Sequence, residues 1–224
     1  MLYELRGVSK QFQLGGTIKA IDDISLTLDH EEFVAIEGPS GSGKTTLLQL
    51  LGALDRPSSG SILFEGRDLA ALSDNDLTDL RLRSFGFVFQ QFNLLSILTA
   101  RQNIEAGLAP LNIFSAAELR DKSQTLLTEV GLANRLHHLP GQLSGGEQQR
   151  VAIARALSTE PRVILADEPT GNLDSKSGAE IITLLSDLAA RHGTTIIVAT
   201  HDAELAARAP RRLHMHDGQL VSED

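Results

Sequence analysis

The sequence of 224 residues contains no cysteine, which excludes disulfides, thiolate metal centres and thiol nucleophiles together. It also lacks an apolar run that could cross a bilayer. The most apolar stretch near its end, Thr194-Thr195-Ile196-Ile197-Val198-Ala199-Thr200, falls far short of the roughly 20 residues a spanning helix needs. Cations are in deficit: 20 Lys+Arg stand against 29 Asp+Glu, a formal charge of -9. A phosphate backbone would be repelled on average, so no nucleic-acid partner is expected. Long internal repeats and low-complexity linkers are missing as well. The first residues, Met1-Leu2-Tyr3-Glu4-Leu5-Arg6, carry an early acid and no apolar signal core. The expectation is therefore a cytoplasmic protein without direct membrane insertion, any crossing being supplied by another polypeptide. What remains is a globular balance of 42% apolar and 22% charged residues, enough for one domain or two small lobes sharing a core.

The apolar pattern alternates between strand and helix. Leu2, Leu5 and Val8, then Ile18, Ala20, Ile24, Leu26 and Leu28, predict strands joined around Gly15-Gly16. Phe33-Val34-Ala35-Ile36 predicts a buried strand that stops at a glycine-rich turn, and from Thr45 the leucines at 47, 48, 50 and 51 predict a helix. Asp55-Arg56-Pro57 and Ser58-Ser59-Gly60 mark a stop and a turn. Strands are expected at 61–64, 85–89, 163–166 and 195–200, with helices at 74–83, over most of 99–130 with a break near Pro110, from the 143–146 turn to about Ser158, and at 176–191. A hairpin around Asp217-Gly218 should close the chain. Alternation of this kind predicts an α/β fold with a mostly parallel core sheet, antiparallel strands at the start and an inserted helical section. Residues 1–224 are read as one domain, with 1–91 and 159–224 forming the core and 92–158 the helical subdomain.

Gly38-Pro39-Ser40-Gly41-Ser42-Gly43-Lys44-Thr45 matches G-x-x-x-x-G-K-[ST] in full, between a strand and a helix. Glycines let backbone N–H groups curl around an anion, and the following helix adds its unpaired donors. Lys44 is suited to reach β- and γ-phosphates, and the Thr45 hydroxyl is suited to ligate Mg²⁺. Pro39 and Ser42 read as permissive positions, and Glu37 as a structural carboxylate facing away from the loop. Asp167-Glu168 closes the 163–166 strand. Open α/β sheets bind ligands at the carboxyl ends of their strands; there Asp167 would hold Mg²⁺ through water, while Glu168 positions and polarises an attacking water. Thr200-His201-Asp202 ends the next strand likewise, leaving His201 either to contact a γ-phosphate, to hold the water, or to cap a helix. His137, His138, His214 and His216 read as surface residues.

Leu143-Ser144-Gly145-Gly146-Glu147-Gln148-Gln149-Arg150 is a second glycine turn entering a helix. The octet resembles the signature sequence of the ATP-binding cassette family, and the rest of the chain agrees in order from Leu2 to about Val221. Gln90 resembles the family's Q-loop glutamine, Asp174 in Gly171-Asn172-Leu173-Asp174 its D-loop aspartate, and His201 its switch histidine. The resemblance implies a P-loop ATPase using ATP and Mg²⁺, with the nucleotide held by Gly38, Ser40, Gly41, Ser42, Gly43, Lys44, Thr45 and Thr46. It further implies a head-to-tail dimer in which Ser144, Gly145 and Gly146 of a second copy, with Asp174, complete the site. Glu168, His201, Lys44 and Gln90 would carry catalysis, and Thr45, Gln90 and Asp167 would face the metal. A transmembrane permease would dock near residues 90–110, placing the protein on the inner face of the cell membrane.

Some positions depart from the family pattern. Phe12 stands at the adenine-stacking position where tyrosine is commonest, which keeps the π-face. His30-Glu31-Glu32 replaces a frequent Gly-Glu, and Thr45-Thr46 a commoner Ser-Thr. The segments Phe87–Leu95 and Leu165–Asp174 are similar to the ATPases of lipoprotein-release and macrolide-export systems, although Ser96 and Arg101-Gln102-Asn103 differ from that branch. The alternatives carried from the sequence are a cell-division signalling ATPase that controls cell-wall hydrolysis and a soluble ATPase switch in DNA repair or translation.

Overall fold

The alternation of strand and helix read from the sequence is present along the chain. A computed structural model describes residues 1–13 and 15–224. Strands β1 (Tyr3–Gln13), β2 (Thr17–Leu28) and β3 (Phe33–Glu37) lead into helix α1 (Lys44–Leu51). Then come β4 (Ser59–Phe64), β5 (Arg67–Asp68), α2 (Asp74–Ser84), β6 (Phe85–Phe89), α3 (Ala100–Leu108), α4 (Ala116–Glu129) and α5 (Gly145–Leu157). The path continues through β7 (Val163–Asp167), α6 (Ser175–His192), β8 (Thr195–Thr200) and α7 (Ala203–Ala206) to the hairpin β9 (Arg211–His216) and β10 (Gln219–Glu223). Two compact units result, Met1–Arg81 with Thr195–Asp224, and Leu82–Thr194.

In the first unit β1 pairs antiparallel with both β2 and β4, so the order is β2-β1-β4-β5. Leu5, Val8, Ile24 and Leu26 are buried: the period-2 alternation carries Ile24 and Leu26, and the register shift between Leu5 and Val8 lets both of those face inward. Tyr3 is fully buried; its ring meets Phe64 with centroids 5.0 Å apart, and its hydroxyl donates to the Leu51 carbonyl at 2.9 Å. The expected turn at 58–60 is already strand from Ser59 on. Gly60, at φ 82, lies so close to β1 that a Cβ would come within 2.3 Å of the Gly7 carbonyl oxygen. A parallel set forms around β3, which is flanked by β8 and β9, with β10 antiparallel on β9. Val34, Ile36, Ile196, Ile197 and Val198 are fully buried there, each worth about 1.5–3 kcal/mol relative to exposure.

The second unit holds β6 and β7 in parallel register, Phe85 opposite Val163 through Phe89 opposite Asp167. Helix α5 lies on β6 at a distance only small residues permit: a Cβ on Gly86 would meet the Ala156 carbonyl oxygen at 2.5 Å. The break expected near Pro110 is a 3₁₀ turn over 109–111. Capping boxes at Thr99/Gln102 and Ser115/Glu118 start α3 and α4, satisfying helix donors that would otherwise be orphaned. Among the described residues no helix is long and apolar enough to cross a membrane.

Candidate functional site

In the first unit the glycine-rich loop links β3 to α1. Gly38, Gly41 and Gly43 have φ of 156, 83 and 104. A Cβ on Gly38 would stand 2.2 Å from the Met215 carbonyl oxygen, and one on Gly43 would stand 2.4 Å from that of Ala20. The loop is braced by the hairpin turn, where Gly218 N–H donates to the Ser42 carbonyl at 3.0 Å and Asp22 N–H to the Gly218 carbonyl at 2.8 Å. Ser42 is therefore not permissive: it is 1% exposed, and its Oγ is buried without a hydrogen-bond partner.

This loop fits a polyphosphate. The Lys44 ammonium, 6% exposed, donates to the Gly38 and Pro39 carbonyls at 2.7 and 3.0 Å. Among the described residues no side chain caps the N-terminus of α1, so the positive end of the helix is open to an anion. The orphaned Ser42 Oγ adds a donor. Ser40 and Thr45 are exposed and Thr46 is half-buried.

The strand register places His201 beside this loop. Glu37 is opposite Thr200 on one side and His214 on the other, so Gly38 and His201 leave the same sheet edge. Asp202, rather than His201, caps the next helix, accepting from Glu204 and Leu205 N–H at 2.9 and 3.3 Å. His214 is not a plain surface residue. Its Nδ1 lies 2.5 Å from Glu37 Oε1 and its Nε2 3.2 Å from Asp224 Oδ2. Glu37 is thereby tied to β9, in keeping with its structural reading. Phe12 is half-buried, with the Lys10 ammonium 5.1 Å from its ring centroid and also 2.6 Å from Asp55.

In the second unit β6 and β7 end in register, so Gln90 and Glu168 follow Phe89 and Asp167 off one edge. Asp167 and Glu168 are half-buried, and Glu168 has φ 45, a left-handed conformation rare for a glutamate. The Gln90 carboxamide donates to Asn172 Oδ1 at 3.3 Å, while Asn172 Nδ2 donates to the Gln90 carbonyl at 2.9 Å. Gly171 makes room for that exchange, since a Cβ there would meet Gln90 Nε2 at 2.7 Å.

Ser144 is the N-cap of α5. It accepts from Glu147 N–H at 3.2 Å, while the Glu147 carboxylate accepts from Ser144 N–H at 2.8 Å and pairs with Arg135 at 2.8 Å. The Ser144 backbone bond, then Arg135, hold that carboxyl below the usual glutamate range. A Cβ on Gly145 would lie 3.2 Å from Leu173 Cδ2 and one on Gly146 3.7 Å from Ser177. Asp174 caps α6, accepting from Ser177 Oγ at 2.7 Å and its N–H at 3.0 Å, which lowers the aspartate pKa. Gln90, the 144–146 turn and Asp174 thus belong to one unit. Arg135, Arg155, and Asn172 as a partner of Gln90 were not marked by the sequence; their contacts span 12 to 82 residues and leave no local signal. Among the described residues no cluster of His, Asp and Glu could by itself hold a metal ion.

A family model described as "ABC transporter" matches residues 21–171. The macrolide export ATP-binding/permease protein MacB of Wolinella succinogenes is 50% identical over 224 residues, covering 98% of this chain and 34% of its own length. That of Hyphomonas neptunium is 48% identical over 228 residues, covering 99% and 34%. The chain spans about a third of the length of these relatives. Among solved structures, an ATP-binding cassette in a dimeric post-hydrolysis state bound to ADP and Pi is similar at a TM-score of 0.92 and 41% identity, over 100% of this chain and 98% of that one.

Proposed function

The chain belongs to the ABC transporter family and is a P-loop ABC ATPase domain, and from that premise we propose that it is the motor of an export complex of the macrolide-efflux or lipoprotein-release type. It hydrolyses ATP to ADP and phosphate and drives a transmembrane permease from the inner face of the cell membrane. One observation carries the ATPase reading: the Lys44 ammonium lies on the carbonyls of a braced glycine loop beside an uncapped helix N-terminus. The similarity of 48–50% to MacB proteins over nearly the whole chain supports the export branch.

In the proposed reaction the Gly38–Thr46 loop holds the triphosphate, Phe12 stacks on the adenine and Lys44 neutralises charge that develops on the γ-phosphoryl group. Glu168 takes a proton from water as its oxygen bonds to the γ-phosphorus and the bond to the bridging oxygen breaks. His201 steadies the γ-phosphate. Thr45, Gln90 and Asp167 would hold Mg²⁺, which supplies further charge neutralisation when bound. A second copy, arranged head to tail, contributes Ser144, Gly145, Gly146 and Asp174; that a similar cassette is dimeric with ADP and Pi bound supports a nucleotide-bound dimer.

Leu95 and Ile97, 52% and 85% exposed, lie in the proposed permease-docking segment 90–110. Asn103 fixes their loop, accepting from Leu95 N–H at 2.7 Å and donating to the Leu95, Leu98 and Thr99 carbonyls. Co-purification of the native assembly from membranes tests the reading. A membrane-spanning permease, fused or separate, is the expected result; ribosomes or DNA recovered in its place would overturn the export assignment.

A further inference from the structure

Arg155, in the last turn of α5, is a half-buried cation whose hydrogen bonds go to main-chain carbonyls. Its Nη1 donates to the Asn93 carbonyl at 2.6 Å and its Nη2 to that of Phe92 at 3.1 Å. Buried charges usually persist only where a partner stabilises them, and burial lowers the pKa of this guanidinium. Its two partners are unusual in their own right. Phe92 and Asn93 are successive residues at φ 59 and 49, a left-handed pair that asparagine tolerates and phenylalanine does not favour. Such a conformation persists where its surroundings over-determine it. The passage for the arginine is also built in, since a Cβ on Gly107 of α3 would press within 3.2 Å of Arg155 Cγ.

The turn is pinned at its other end by the reciprocal bonds between Gln90 and Asn172. Four residues, 90–93, are thus held between the loop that follows Glu168 and the helix capped by Ser144. We propose that Arg155 is a positioning residue for ATP hydrolysis: by gripping the Phe92 and Asn93 carbonyls it sets where the Gln90 carboxamide stands and ties that position to helix α5. The inference rests on the reading that Gln90 serves hydrolysis.

The test is a mutant cycle in the native assembly, with R155M, R155K, Q90A and the double variant R155M/Q90A, each checked for thermal stability. In R155M kcat falls by about tenfold or more while the KM for ATP changes less than about twofold, the pattern of a group that acts late in the reaction. Against Q90A, R155M adds less than about a further twofold, because both changes remove one function. R155K, with one ammonium for two carbonyls, falls between R155M and wild type. Amide hydrogen exchange over residues 90–95 in the nucleotide-free protein speeds up in both Arg155 variants.

Wild-type kcat in R155M, or effects that multiply in the double variant, would overturn the proposal. Should R155M fail to fold, R155K decides: wild-type kcat with unchanged exchange over 90–95 overturns it, and a reduced kcat with faster exchange supports it. If Q90A itself hydrolyses ATP like wild type, the Gln90 reading falls, and the Arg155 proposal falls with it.

Discussion

Gly43 and Ala20 are in such close approach that a Cβ on the glycine would stand 2.4 Å from the alanine carbonyl oxygen. Backbone on both sides makes the clash hard to relieve. Gly43→Ala should therefore push β2 away from the loop and cost ATP affinity by about 100-fold or more, while also lowering thermal stability by about 1–3 kcal/mol. Gly41 is the control. It too has positive φ, but open space surrounds its missing Cβ, so Gly41→Ala should cost only about 1 kcal/mol of backbone strain. Titration with a fluorescent ATP analogue checks the affinity loss in Gly43→Ala, and thermal melts of the two variants separate the clash from backbone strain; equal loss of stability in both would show that the contact with Ala20 is unimportant.

Glu168 leaves β7 in a left-handed conformation with its carboxylate assigned to the attacking water. Replacing it by glutamine keeps size and hydrogen bonding but removes the proton acceptor. Glu168→Gln should bind ATP normally and turn over about 10²–10⁴-fold more slowly, the usual worth of a general base. It should also accumulate an ATP-dependent dimer on size exclusion. Unchanged single-turnover rates would reassign the base.

Much of this site was legible because its chemistry is local. The spacing Gly38, Gly43, Lys44, Thr45 reflects backbone conformations that few other residues adopt, and a short apolar run before Asp167 suffices to mark a strand end. The unread parts arise from pairing across long separations. Glu37 and His214 come together only because β9 joins β3 in parallel register, so nothing near His214 distinguishes it from the exposed His216. Ser42 looked interchangeable because the turn around Gly218, which binds its carbonyl, is remote in sequence. Strand β5, of two residues, and α7, of four, are too short to display a period.

Asn103 is 1% exposed, and its amide satisfies one N–H and three carbonyls between Leu95 and Thr99. Truncation to alanine would take the side-chain partner from the Leu95 N–H and the Leu98 carbonyl, while the Leu95 and Thr99 carbonyls keep the Leu98 and Asn103 N–H groups, so Asn103→Ala should destabilise the protein by about 1–3 kcal/mol. Leu95 and Ile97 should lose their fixed presentation at the same time. The measurable consequence is weaker association with the proposed permease at temperatures where the variant remains folded. Ile97→Ser, at a residue 85% exposed, should reduce association with a stability change within about 0.5 kcal/mol.

The Ser144–Glu147 box makes the start of α5 sensitive to acid. The Glu147 pKa is depressed in the folded protein, first by the Ser144 N–H and then by Arg135. On acidification the unfolded chain therefore takes up its proton before the folded one does. The stabilisation is fully present above the ordinary glutamate value of 4.5 and is lost as pH falls from there through the folded value. Glu147→Gln retains a side-chain oxygen for the Ser144 N–H but loses the ion pair with Arg135. It should be less stable than wild type by about 1 kcal/mol or less near neutrality, with the gap closing below pH 4.5. Urea melts of both proteins from pH 7 down to about 3 follow this difference. A gap that stays constant across the acid range would mean that the Glu147 carboxylate does not hold the cap.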